Sequence, residues 1–112
     1  STTEALANVQ SFLAALQAGD PDQAKRELVK YAAALLPGKR SGYANPPNGS
    51  AVLAALTKEL QAAYRNMPKA MQDQFDDAIK AAKQVVKEEA DRRKVEKKPM
   101  PDLWISSLKF SR

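Results

Sequence analysis

The chain has 112 residues, enough for one domain, and its 18 Lys and Arg against 13 Asp and Glu give a net charge of +5. It has no cysteine and no histidine, which excludes disulfides, thiolate or imidazole metal sites, and every Cys-His or Ser-His mechanism. What chemistry remains would rest on carboxylates, Lys, Tyr and Ser, and no motif pairs a nucleophile with a base. The expectation is a protein that is not an enzyme and carries no cofactor and no metal.

Alanine occurs 20 times, and only seven residues are aromatic. Alanine is the strongest helix former, and sparse aromatic and β-branched residues argue against a sheet. No apolar run approaches the roughly 18 residues that would suggest a membrane span, and the N-terminus has no signal-peptide pattern. The expected setting is the cytoplasm, or the interior of a virion or other large particle, with no membrane role.

All four glycines and seven prolines fall at 19–21, 37–49, 68 and 99–101. Gly and Pro are costly inside helices, so this punctuation divides the chain into four helical segments and a tail. The first runs from about Thr3 to Leu16. Leu6, Val9, Leu13 and Leu16 step by three and four, with Phe12 alongside. Ser1 and Glu4 have capping-box spacing, and Gly19 stands where a C′ glycine belongs. The second segment opens with Asp20 as cap, Pro21 at the first helical position and Gln23 three residues after the cap. Ala24, Leu28, Tyr31 or Ala32, and Leu35 form its stripe, and Pro37-Gly38 ends it.

Residues 37–50 form the one long irregular connection, of a length that is often functional. The third segment spans Ala51 to about Asn66, with Ser50 as the expected cap and Val52, Leu53, Leu56, Leu60 and Tyr64 on one side. The fourth starts at Pro68 and continues to about Lys98. Met71, Phe75, Ala78, Ala82 and Val85 are its stripe, with Ile79 and Val86 widening it. After Val86 the sequence is nearly all charge, so the last turns should project beyond the bundle. Within them, Glu88 with Arg92 and Glu89 with Arg93 have favourable i,i+4 spacing. Asp73, Asp76 and Asp77 read as ordinary complements to the dipole at the start of this helix.

The tail, 99–112, leaves a short strand and an extended peptide both open. It carries Leu103, Trp104, Ile105, Leu108 and Phe110 after a Pro-x-Pro spacer, whereas chain ends are usually polar. Such side chains either close the chain's own core or form an arm that holds a partner, with Trp104 as the anchor. The second set of candidates is cationic. Lys39, Arg40 and Tyr43 in the long connection, with Arg65 and Lys69, belong to a region (38–69) of five bases and one acid. Arg92, Arg93, Lys94, Lys97 and Lys98 form a strip at the end of the fourth helix. Both groups are candidates for phosphate binding.

The segment from Phe12 to Pro37, with its Ala18-Gly19-Asp20-Pro21-Asp22-Gln23-Ala24 turn, loosely resembles a tetratricopeptide helix pair. No repeat of about 34 residues follows, so no family is assigned and no binding residue is carried over.

The expected fold is all-α: a four-helix domain of two helical hairpins over 1–98, with a long projecting last helix and an apolar C-terminal docking arm over 99–112. Its core should draw on Leu6, Val9, Leu13, Leu16, Leu28, Leu35, Leu53, Leu56, Leu60, Phe75, Ile79 and Val85. The leading functional expectation is a non-catalytic adaptor or structural subunit. It would dock into a larger hetero- or homo-oligomeric assembly, such as a nucleoprotein particle or phage virion, through the arm. The alternative is a nucleic-acid-binding accessory protein using the 38–69 region and the 92–98 strip.

Overall fold

The computed structural model describes residues 2–34, 49–99 and 104–112, with side chains described for 7–33, 51, 54–99 and 105–112. The described residues form four helices and no strand: α1 (Thr2–Gln17), α2 (Pro21–Ala34), α3 (Gly49–Arg65) and α4 (Lys69–Val95), followed by a single 3₁₀ turn, Trp104–Ser107. None of these helices is long and apolar enough to cross a membrane.

The α1–α2 turn follows the sequence closely. Gly19 adopts φ 75°. Its amide donates to Leu16 O at 3.1 Å, and the Asp20 amide donates to Ala15 O at 2.9 Å, which together make a Schellman C-cap. Asp20 then caps α2, its carboxylate accepting the Gln23 amide at 3.1 Å, while Pro21 opens the helix without an unsatisfied N–H. Ser50 lies inside α3 and not before it, so it is not that helix's cap. Ser1, Leu35 and Pro37-Gly38 lie outside the described residues, and the side chains of Leu6, Val52 and Leu53 are not described.

α2 lies against both α1 and α4, and these are the two broadest helix pairs. The fully buried Ala24 and Ala32 of α2, with Ala78 and Ala82 of α4, suit a close approach, since small side chains let helix axes draw together. Among the described residues, the broad partner of α4 is α2. α3 joins the core through larger side chains, Leu56, Leu60 and Tyr64.

Val9, Leu16, Leu28, Leu56, Leu60, Phe75 and Ile79 are buried, while Leu13 and Val85 are partly buried against the same cluster. At its centre stands Phe75. Its ring lies 5.3 Å from Phe12 of α1, 5.0 Å from Tyr64 of α3 and 4.9 Å from Phe110 of the tail, the last edge-on. Tilted and edge-on contacts at these distances are the favourable geometry for aromatic rings. Phe12, merely adjacent to the stripe in sequence, is fully enclosed.

No residue of α4 after Val86 is buried, and Val95 is 84% exposed. This last stretch is held by its own charges. Arg93 pairs with Glu89 at 3.0 Å and Arg92 with Glu96 at 2.7 Å, while Arg92 also bonds Glu89. Of the two expected pairs only Glu89–Arg93 forms. Glu88 instead accepts a hydrogen bond from Gln84, and Arg92 turns to acids three residues before it and four after. α4 ends in a second Schellman cap, with Lys98 N–H to Arg93 O at 2.8 Å and Lys97 N–H to Lys94 O at 3.2 Å. Here the left-handed position is taken by Lys97, at φ 58°.

Candidate anion-binding groove

Residues 104–112 form a strap across α3 and α4. Ile105 and Leu108 are 0% and 2% exposed. These side chains and the partly buried Phe110 join the chain's own core. The structure places these three side chains against the ring cluster around Phe75, where they cover its apolar face. Leu103 lies outside the described residues. Trp104 opens the 3₁₀ turn, and its side chain is not described. Among its described residues the tail holds no strand and is not wholly extended, since Trp104–Ser107 makes a 3₁₀ turn before the chain runs on through 108–112.

Polar contacts fix the strap's direction. Lys83 donates to Leu108 O. Gln61 Nε2 donates to Ser111 O at 2.9 Å, and the Ser111 amide returns a bond to Gln61 Oε1 at 3.2 Å. The Arg112 guanidinium reaches Asp73 at 2.8 Å, Asp76 at 3.0 Å and Gln72 Oε1 at 3.0 Å. Residues 108 to 112 thus move from Lys83 toward Asp73, antiparallel to α4. Gln72 is buried and also donates to Tyr64 O at 2.8 Å, which satisfies a carbonyl at the end of α3. The Tyr64 hydroxyl donates to Asp76 Oδ2 at 3.0 Å. Burial, and then the Asp76 carboxylate, push the Tyr64 phenol above its usual range, so it stays a hydrogen-bond donor. The Arg112 guanidinium lies 5.9 Å from the Tyr64 ring centroid, within cation–π range.

Between α4 and the strap lies a groove of about 520 Å³. Lys80, Lys83 and Lys87 line its α4 wall, and Lys109 comes from the strap. The steps of three and four place the α4 lysines on one face, over about 10 Å at 1.5 Å per residue. Ile79, Leu108 and Phe110 supply apolar lining, and Asp76 and Gln84 complete it. Among the described residues, Lys80, Lys87 and Lys109 are exposed and form no ion pair. The one acid at the groove, Asp76, is matched by Arg112.

The cations singled out from sequence are placed differently. Lys39, Arg40 and Tyr43 lie outside the described residues. Arg65 is exposed at the end of α3, and Lys69 pairs with Asp73 at 3.2 Å. Arg92 and Arg93 are held by Glu89 and Glu96, Arg93 also donates to Pro99 O, and Lys98 pairs with Glu96 at 3.2 Å. Lys94 and Lys97 are exposed, without an ion pair among the described residues. The 92–98 strip is therefore largely an internal charge network. The groove lysines are not concentrated in any run. The i, i+3, i+7 spacing of Lys80, Lys83 and Lys87 was a usable signal, but nothing in the sequence placed Lys109 beside them. No protein-family model, curated protein or solved structure matches the chain.

Proposed function

We propose that this protein is a non-catalytic helical module that binds nucleic-acid phosphates along the groove between α4 and the strap. One observation carries this reading: four lysines from two separate segments line one groove, and among the described residues none of them pairs with a carboxylate, Lys83 bonding instead to Leu108 O. Ammonium groups left without partners can displace counterions from a polyanion, which is the main source of non-specific nucleic-acid affinity. Paired arginines on the α4 projection would first have to give up their acids. The reading suits a subunit of a nucleoprotein assembly, and it leaves a protein-docking role only to the strap residues not enclosed in the core.

The test is fluorescence anisotropy with a labelled oligonucleotide across a salt series. Binding should weaken steeply with salt. Replacing Lys80, Lys87 and Lys109 singly with Gln should weaken it and flatten the salt slope by roughly 0.7 per lysine on a single strand. Lys98→Gln should change either quantity far less. Affinity that is unmoved by the groove substitutions would rule the reading out.

A further inference from the structure

We infer that the groove takes an unpaired strand in preference to a duplex, seating a base against its apolar lining while the lysines hold the flanking phosphates. This rests on the reading just given and adds the form of the ligand. Three features point to it.

The first is shape. Proteins read a duplex by inserting a helix or ribbon into its grooves. Here the cationic surface is recessed, with α4 on one side and the strap on the other. The groove opens to solvent, and its volume is about 520 Å³. A flexible strand can lower one nucleotide into such a space, whereas a duplex would meet only its rims.

The second is composition. A site for phosphates alone has no use for an aromatic wall, yet Phe110 borders this one, backed by the buried Ile79 and Leu108. Phe110 is only partly buried, so its ring serves both the core and the groove. An aromatic side chain beside lysines is the usual equipment of single-strand binding, where each base offers a π-face and each phosphate a charge.

The third is arrangement. The α4 lysines and Lys109 approach from the two elements that frame the groove, so a backbone passing between them is neutralised from both sides. The extended row on α4 follows the path of a strand laid along the helix.

The wild-type protein suffices for the decisive comparison. Four probes of matched charge are used in competition: a single-stranded oligonucleotide, its duplex, a strand of abasic sugar-phosphate units, and polyglutamate. The single strand should bind best. The abasic strand should lose about fivefold or more in affinity, the lower end of what one base–aromatic contact contributes. Phe110→Leu, which keeps an apolar side chain in the core, should bring the intact and abasic strands closer together. Circular dichroism checks that this variant folds. If duplex, abasic strand or polyglutamate bind as well as the single strand, the inference is overturned while a polyanion site stands. If no probe binds at all, both the inference and the functional reading beneath it fall.

Discussion

Lys97 sits at φ 58° in the cap that ends α4, a conformation that strains an L-residue and suits glycine. Lys97→Gly should therefore stabilise the protein by about 0.5–1 kcal/mol, read as a rise in the urea midpoint at unchanged slope. Gly19 is the mirror case. An added Cβ there would meet nothing within 4 Å, yet φ is +75°. Gly19→Ala should cost about 1 kcal/mol through backbone strain alone. Arg112 acts at the same scale through charge. Its hydrogen bond, followed by that of Lys69, holds the Asp73 carboxyl below its usual range. Arg92 does the same first to Glu89 and first to Glu96. A carboxyl whose folded value is lowered contributes stability that is present above its unfolded value of about 4 and lost as pH falls through the folded one. Denaturant midpoints should thus decline below about pH 4. In Arg112→Ala that decline should be shallower, because Asp73 loses its largest perturber. An identical pH profile in the variant would contradict the pairing of Arg112 with Asp73.

At the scale of elements, the strap is the piece on which sequence reasoning divided. Leu103, Trp104, Ile105, Leu108 and Phe110 announced a segment that must be buried somewhere, but hydrophobicity has no address. The groups that fix its position are Gln61, Gln72, Asp73 and Asp76, polar residues on α3 and α4 that look like ordinary helix surface. Reading them as partners of Ser111 and Arg112 requires knowing that positions 50 and 40 residues apart meet. The helices were easier, because each boundary is a local event. Gly19, Asp20 and Pro21 act within one turn of chain, and the predicted cap formed. Leu108→Ala should destabilise by about 2–5 kcal/mol if the strap belongs to the core, measured by urea unfolding. A loss under about 0.5 kcal/mol, typical of surface sites, would place the strap outside it.

For the whole molecule, the all-α class followed from composition and punctuation, while the choice of neighbours did not. An apolar stripe tells a helix which face to bury but not against which helix. The broad α2–α4 contact goes with small alanines on both partners, a shape property distributed over two distant segments. The groove was hidden for the same reason. It belongs to no motif and exists only because the strap runs back beside α4, bringing Lys109 to lysines that lie more than twenty positions earlier in the chain.

The position of Phe110 in chain order has a consequence for synthesis. A ribosome releases α1 to α4 before it releases the side chains that cover Phe75. The helices can begin to associate as they emerge, but their shared aromatic face stays wet until 105–110 have cleared the exit tunnel. A nascent chain stalled with those residues still inside should bind a hydrophobic dye, and should lose that binding once the stall is lengthened enough to free them. Closure of this domain is thus timed by translation, and the nascent helices are exposed to chaperones and to one another during that interval.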